Sequence, residues 1–376
     1  MLIGGWDNKD DLSATDALTR SDTKRLISYV SHSGITGIIC YQTPNQPINF
    51  ENDVLRPIYP NGRKEDAIIA RTWSIFQKNS TFSDVLLRLP MTKATVRAMD
   101  AAEDFMVQLG HDKPVRWGVT GASKRGWTAW THAAVDYERV IFVSPVWLDN
   151  LKLIESSHHH YQSLGGWTMQ YVDYYIEGFT LHLDDPAFEI MADIVDPYTY
   201  LERYSRSQTI LLQNAGNDEF FLPSDTWFFW DEIFGEKYIR IYPNKGHGGV
   251  GFKESDETCG SDTCGDYRDL ENIVWQSING IFNEVLNPVI FAKNLEYRPW
   301  TWNLLSSDDE SAIEFFSNIK PTSVRAWLAN SAASDRCEIY TFIQTYTTST
   351  PSITIHIVFV NFNVKILDVT GVYLDL

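Results

Sequence analysis

The sequence is short of cysteine, of basic residues and of long apolar runs, and each shortage excludes a class of protein. Four cysteines in 376 residues are too few for a disulfide-rich scaffold. Lys and Arg number 31 against 49 Asp and Glu, and the resulting charge of −18 argues against general nucleic-acid binding. No apolar run approaches the roughly 20 residues that a membrane-spanning helix needs. The first residues also lack the basic start and the apolar length of a secretory signal peptide.

What the chain does contain is enough apolar material for a large α/β core. Hydrophobic residues make up 44% of the sequence, which excludes wholesale disorder. Strand-like and helix-like patterns alternate along most of the chain, which predicts a mainly parallel sheet with helices on both faces. The alternation breaks over 145–207, and again after residue 287, where short β-like segments follow one another. We therefore predict a main α/β domain over 1–287 and a small β-rich domain over 288–376.

One stretch, Arg116 to Trp127, has the pattern of a nucleophile elbow. An apolar run from Pro114 to Val119 ends in Gly-x-Ser123, and a helix-prone run follows at once. This is the elbow of α/β-hydrolases, which lifts a serine hydroxyl above the sheet between a base and backbone N–H donors. The usual last glycine is displaced by one position, to Gly126. The alternative is a Gly-Ser turn that simply starts a helix. We predict an α/β-hydrolase fold in which residues 145–207 form a cap.

Three residues on loops after predicted strands complete a candidate catalytic set: Ser123, Asp218 and His247. Their order along the chain is that of α/β-hydrolases. The loops that follow parallel strands emerge at one edge of the sheet, so the three side chains are expected to meet. Ser123 would attack a carbonyl, His247 would move its proton, and Asp218 would orient the imidazole. Asp149 and Asp225 are rival acids, and turn or surface roles for Asp218 and His247 remain alternatives.

The oxyanion of such a reaction would be held by backbone N–H groups. We predict donors at Lys124 and at Gly5 or Trp6, since a Gly-Gly turn follows the first strand-like residues. The Lys124 side chain would add positive charge. The alternative is that Lys124 and Arg125 are solvated at the start of a helix.

Two other features raise the question of a metal or a disulfide. His158, His159 and His160 are consecutive, and adjacent side chains rarely converge on one ion, so a cap loop is the favoured interpretation. Cys259 and Cys264 flank a short turn-prone loop, and they are either bonded to each other or unrelated thiols. We predict no metal and no cofactor.

Several motifs together resemble one family, the PhoPQ-activated pathogenicity-related proteins, which include the autocrine proliferation repressor A proteins. The motifs are Tyr41–Pro47, Glu65–Ala67, Arg88–Ala94, Gly118–Trp127 and Asn214–Phe221. The resemblance extends to about residue 247. It implies an α/β-hydrolase fold, secretion, and catalytic residues at the serine, aspartate and histidine named above. The elbow is also similar to that of glucuronoyl esterases, in which a basic residue follows the nucleophile.

The chain departs from the resembled family at both ends. It has no leader and begins within a strand-like segment, so we expect an N-terminally truncated chain. Residues 352–376 do not look like the family's usual ending. The main hypothesis is a serine hydrolase acting on a small-molecule or peptide substrate, with esterase or dipeptidyl-peptidase-like specificity. The alternatives are a secreted signalling protein that uses this scaffold to bind a cell-surface receptor, and an inactive fragment.

Overall fold

The computed structural model describes residues 1–5, 14–204, 208–242, 245–247 and 270–287, together with six strands after residue 299. The chain divides into two compact units. The first comprises residues 1–254 and 268–282, and the second comprises 255–267 and 283–376. The limits predicted from the sequence, 1–287 and 288–376, stay a prediction.

The first unit is built on a sheet of six described strands, in the spatial order β2-β1-β3-β4-β5-β6. Each neighbouring pair is parallel. The strands are β1 (Leu2–Ile3), β2 (Ile39–Cys40), β3 (Trp117–Ala122), β4 (Val140–Val146), β5 (Thr209–Ala215) and β6 (Lys237–Tyr242). Every residue of β5 is buried, as expected for a central parallel strand covered on both faces.

Helices connect these strands and cover both faces of the sheet. They are α1 (Ala14–Thr19), α2 (Ser21–Ser33), α3 (Asp66–Lys78), α4 (Arg88–Gln108), α5 (Lys124–Val135), α6 (Leu153–Leu164), α7 (Val172–Ile176), α8 (Pro186–Val195), α9 (Leu201–Tyr204) and α10 (Leu270–Leu286).

Two glycines of β3 show how closely helices pack on the two faces of the sheet. Side chains alternate across a strand, so Gly118 and Gly121 face opposite ways. A methyl on Gly118 would lie 2.9 Å from the Phe282 ring of α10, and one on Gly121 would lie 2.5 Å from the Arg125 carbonyl of α5. The predicted α/β-hydrolase fold is therefore confirmed.

The cap lies between β4 and β5 and consists of helices α6 to α9 joined by short 3₁₀ turns. Aromatic side chains attach it to the domain beneath. The Trp73 ring of α3 lies 5.3 Å from Tyr174, 5.6 Å from Phe179 and 6.1 Å from Phe188 of the cap. Such pairs add about 0.5–1.5 kcal/mol each beyond the area they bury, so the aromatic richness of this segment serves packing.

Three segments differ in structure from the helical patterns of their sequence. The apolar spacing over 13–31 indicates one helix, and the structure has two, α1 and α2. Thr92 is a typical N-cap residue, but helix α4 begins at Arg88, because Pro90 falls in the first turn, where its missing N–H costs nothing. The Thr92 hydroxyl donates to the Arg88 carbonyl inside the helix instead of capping it. The apolar spacing over 225–234 suits an α-helix, but the structure has two 3₁₀ turns there, Pro223–Phe228 and Trp230–Glu232.

The second unit contains two antiparallel sheets of three described strands each, with orders β10-β9-β12 and β11-β8-β7. The strands are β7 (Trp300–Ser306), β8 (Ser311–Ser317), β9 (Ser323–Ser331), β10 (Ile339–Tyr346), β11 (Ser352–Ile357) and β12 (Tyr373–Asp375). The β-like pattern after residue 287 thus forms strands. Among the described helices of the chain, none is both long and apolar enough to cross a membrane.

Candidate active site

Ser123 sits at a sharp turn between β3 and α5. Its φ angle is 56°, a left-handed value that is rare for residues other than glycine and that marks local strain. The turn is held because the Ser123 N–H donates to the Val146 carbonyl at 2.8 Å and the Trp127 N–H donates to the Ser123 carbonyl at 3.0 Å. Gly126 packs closely too: a methyl there would lie 3.1 Å from Leu148 Cβ. The displaced glycine of the motif is therefore used where the helix meets β4.

The structure brings the three predicted side chains together in a line. Ser123 Oγ lies 2.8 Å from His247 Nε2. On the other side of the ring, His247 Nδ1 lies 2.9 Å from Asp218 Oδ2 and 3.0 Å from Oδ1. The Asp218 side chain is only 1% exposed and that of His247 15% exposed. A hydroxyl, an imidazole and a buried carboxylate in this order are the groups that serine hydrolases use.

Backbone and ring contacts hold Asp218 and His247 in place. The N–H groups of Phe220 and Phe221 both donate to Asp218 Oδ1 at 2.9 Å. The rings of the same two phenylalanines meet the His247 imidazole edge-on, with centroids 5.1 and 5.2 Å away. Phe220 and Phe221 thus orient the Asp218 carboxylate through their N–H groups, and their rings pack against the His247 imidazole.

The two rival acids are bound to other partners. Asp149 Oδ2 accepts a hydrogen bond from Asn214 at 2.7 Å, and Asp225 Oδ1 pairs with His159 Nδ1 at 2.7 Å. Burial, with the nearby Asp225 and Asp218 charges, raises the pKa of Asp149 well above its usual value. Burial also raises the pKa of Asp225 to about 6, although His159 opposes the shift. Asp218 is therefore the acid that reaches His247.

Lys124 and Arg125 are not solvated, contrary to the alternative considered from the sequence. Lys124 Nζ lies 3.0 Å from Glu65 and 2.7 Å from Asp66. Arg125 donates to both Glu65 oxygens at 2.6 Å and, through Nε, to the Thr43 carbonyl at 2.8 Å. Burial opposes the ionisation of Glu65, but the hydrogen bonds from Arg125 and the Lys124 and Arg125 charges lower its pKa to about 2. The Lys124 ammonium, predicted to add charge to the oxyanion site, is engaged by two carboxylates.

A buried arginine, Arg88, holds the peptide group between Lys124 and Arg125. Arg88 is 3% exposed, and its guanidinium donates to the Lys124 carbonyl at 3.0 Å while lying 4.0 Å above the Trp127 ring. Burial lowers the pKa of Arg88 to about 10. The contacts of Arg88, Glu65 and Asp66 could not be predicted from the sequence, because nothing in the local pattern shows which distant residue each one contacts. All three residues lie in the motifs that resemble the family.

The oxyanion donors stay a prediction. Lys124 is the first residue of α5, where backbone N–H groups have no acceptor within the helix. Gly5 lies next to the elbow, because a methyl on it would be 2.1 Å from the Arg125 guanidinium. Trp6 lies outside the described residues.

The three consecutive histidines lie in helix α6 of the cap rather than in a loop, and they take three different environments. His158 pairs with Asp184 at 2.6 Å and His159 with Asp225 at 2.7 Å. His160 is buried between the rings of Trp167 and Tyr171, and burial lowers its pKa to about 4. Within the part of the chain that the structure describes, no three His, Cys, Asp or Glu residues are placed to hold a metal. Cys259 and Cys264 lie outside that part.

Comparisons with known proteins give matches at three levels. The family model of the PhoPQ-activated pathogenicity-related protein matches residues 5–259. Autocrine proliferation repressor protein A of Dictyostelium discoideum is 38% identical over 221 residues, which are 58% of this chain. The chain covers 43% of that relative, less than half of its length.

Solved structures with a similar arrangement include an acetyl xylan esterase and Est1E. Acetyl xylan esterase 1 from a Thermoanaerobacterium species is 17% identical, with a TM-score of 0.41 over 73% of this chain and 73% of the other. Est1E from Butyrivibrio proteoclasticus is 8% identical, with a TM-score of 0.40 over 76% of this chain and 88% of the other.

Proposed function

Since this chain belongs to the PhoPQ-activated pathogenicity-related protein family, we propose that it is a serine hydrolase that cleaves an ester or peptide-like bond. The observation that supports this most is the 2.8 Å distance from Ser123 Oγ to His247 Nε2, with Asp218 bound to the opposite ring nitrogen. The hydrolase scaffold is a property of the fold.

In the first step Ser123 Oγ attacks the carbonyl carbon of the substrate. His247 Nε2 accepts the hydroxyl proton, and Asp218 keeps Nδ1 protonated and stabilises the imidazolium. The negative charge that develops on the carbonyl oxygen would be held by the backbone N–H groups of Lys124 and Gly5. Loss of one such donor typically costs about 3–4 kcal/mol of barrier.

Collapse of this intermediate breaks the bond to the leaving alcohol or amine. His247 returns its proton to that group, and Ser123 is left acylated. Water then attacks the acyl carbon and gives its proton to His247, and the second collapse releases the acid and restores the serine hydroxyl. No cofactor takes part in either half of this proposed cycle.

The substrate is proposed only by class. Residues of the cap contact the loop that carries Asp218, through Thr168 and Gln170. We propose that the cap selects a small-molecule or peptide substrate, with esterase or dipeptidyl-peptidase-like preference. We include secretion in the proposal on the basis of the family alone.

A fluorophosphonate probe tests the proposal directly. The wild-type protein should be labelled at Ser123, and Ser123→Ala should take up no label while its thermal unfolding is unchanged. Asp225→Asn, a rival acid bound to His159, is the matched control and should keep at least about a tenth of the labelling rate. Unchanged labelling of Ser123→Ala would contradict the assigned nucleophile. Screening small activated esters, acyl-peptides and dipeptides then identifies the bond.

The name of the Dictyostelium relative favours one second candidate. An autocrine proliferation repressor is a signalling protein, so this chain would use the hydrolase scaffold to bind a cell-surface receptor. The same probe separates the two proposals. A folded wild-type protein that takes up no label would favour the binding role, and labelling at Ser123 would favour the enzyme.

A further inference from the structure

Glu219, the residue after the proposed catalytic acid, contacts two other parts of the site. Its Oε2 accepts the backbone N–H of His247 at 2.9 Å. Its Oε1 accepts a hydrogen bond from Gln170 Nε2 of the cap at 2.5 Å. The Thr168 hydroxyl, also in the cap, donates to the Glu219 carbonyl at 2.7 Å. One residue therefore joins the acid loop, the base loop and the cap.

The contact with His247 bears on where the imidazole lies. His247 follows β6 on a loop, and the direction of its side chain depends on the orientation of its own peptide group. A hydrogen bond to a carboxylate is roughly twice as strong as one between neutral groups, so it restrains that peptide group well. Two residues earlier, the Asn217 N–H donates to the Lys245 carbonyl at 2.9 Å. The base loop is thus attached to the acid loop at two successive points.

Gly246 shows that this position is shaped around the Glu219 carboxylate. A methyl on Gly246 would lie 2.9 Å from Glu219 Oε2, closer than carbon and oxygen normally approach. A larger residue would push the carboxylate away from the His247 N–H. The hydrogen bond between the His247 N–H and the Glu219 carboxylate therefore requires a small residue at 246.

We infer that Glu219 is a positioning residue that sets the place of His247 relative to Ser123 and links it to the cap. The inference rests on the proposed hydrolase function. Glu219 Oε2 acts on His247 by accepting its backbone N–H, while Glu219 Oε1 accepts a hydrogen bond from Gln170 of the cap. A substrate that displaces the cap near Gln170 would act on the base through the same carboxylate.

Removal of the carboxylate is the first test. Glu219→Ala should lower kcat and the rate of fluorophosphonate labelling by about 10- to 100-fold, as expected for the loss of a charge-assisted hydrogen bond that matters in the transition state. KM should change by less than about threefold, because the Thr168 hydroxyl of the cap still donates to the backbone carbonyl of residue 219. Glu232→Gln, which alters an exposed ion pair with Lys152, is the matched control and should leave both rates unchanged.

Gly246→Ala tests the same contact from the other side. It should reproduce the loss in kcat, because the methyl displaces the carboxylate. In the double variant with Glu219→Ala the methyl has nothing to displace, so it should cause no further loss. Additive losses in this cycle would overturn the inference.

Rescue and stability separate positioning from a merely structural role. Glu219→Gln should recover most of the rate, because its amide oxygen can accept the His247 N–H while the Gln170 amide turns over to accept from its NH₂ group. Gln170→Ala should keep kcat within about threefold, because the bond to His247 remains. A structural role alone would lower the unfolding temperature of Glu219→Ala and leave the labelling rate of the folded protein as it was.

The outcomes distinguish this inference from the function on which it rests. If wild-type protein takes up no probe, the proposed hydrolase fails. If wild-type protein is labelled and Glu219→Ala is labelled as fast, the inference alone is overturned. Should Glu219→Ala fail to fold, Gly246→Ala decides: wild-type kcat in that variant overturns the inference, and a loss of tenfold or more supports it.

Discussion

The substitution Glu65→Gln measures the ion pairs that hold the start of α5. The Glu65 carboxylate receives two bonds from Arg125 at 2.6 Å and one from Gln46 at 2.6 Å, and it lies 3.0 Å from Lys124 Nζ. Glutamine keeps the shape of the side chain and loses its charge. The backbone at 65 has a φ of 51° with either residue, so its strain cancels in the comparison.

The magnitude follows from the pKa of Glu65, which lies at about 2 rather than 4.5. A shift of that size corresponds to at most about 3 kcal/mol of stability. The side chain is 35% exposed, so solvent screening reduces the contribution. We expect Glu65→Gln to lower the free energy of unfolding by about 1–2 kcal/mol at pH 7. Glu232→Gln, whose carboxylate is 49% exposed, should cost less than about 0.5 kcal/mol.

The pH dependence has a definite sign. Because the folded-state pKa of Glu65 is lowered, its contribution is fully present above about pH 4.5 and is lost as the pH falls toward 2. In urea denaturation, the difference between wild type and Glu65→Gln should be constant from pH 8 to 5. It should shrink below that, by at most about 1.4 kcal/mol per pH unit. Equal costs for the two glutamine variants, or a difference that does not shrink in acid, would refute the reasoning.

Two further predictions concern the elbow and the cap. Gly121→Ala places a methyl 2.5 Å from the Arg125 carbonyl oxygen, so it should cost about 3 kcal/mol or more and abolish labelling. Gly280→Ala, in open space within α10, should instead stabilise by about 0.5–1 kcal/mol, and urea denaturation compares the two. Burial lowers the pKa of His160 to about 4, so as the pH falls this imidazole is protonated in the unfolded chain before it is protonated in the folded one. Protonation of His160 should therefore lower the free energy of unfolding by up to about 2 kcal/mol between pH 7 and 5. His160→Phe should remove that part of the pH dependence.

The arrangement of Ser123, Asp218 and His247 could be predicted because it depends on features that a sequence displays. Strand and helix patterns alternate, and loops after parallel strands share one edge, so chain order alone indicates which side chains meet. The elbow could be recognised despite its displaced glycine, because Gly126 is still small where α5 packs on β4: a methyl on it would lie 3.1 Å from the Val146 carbonyl oxygen.

The ion pairs around the elbow could not be predicted in the same way. Glu65 and Arg125 are 60 positions apart, and Glu65 has the local pattern of an ordinary acid at a helix start. The 3₁₀ conformation within 225–234 could not be predicted for a related reason. Their apolar spacing suits an α-helix, but Pro223 begins a 3₁₀ turn and the chain follows the packing of Phe229 and Ile233 instead. In both cases tertiary contacts outweighed local preference.

The three candidate residues lie where hydrogen bonding between strands continues past the strand ends. The Ser123 N–H bonds to Val146, at the end of the neighbouring strand β4. On the other side, Ala215 pairs with Tyr242, and the bonds from Gly216 to Tyr242 and from Asn217 to Lys245 extend that pairing into both loops. A shift of one residue in either register would turn the loop residues to the opposite face. Ser123 is thus positioned by the β3–β4 register, and Asp218 and His247 are positioned by the β5–β6 register. Side-chain contacts such as that of Glu219 refine a geometry whose coarse form depends on the sheet, so the site should be lost mainly when the sheet itself unfolds.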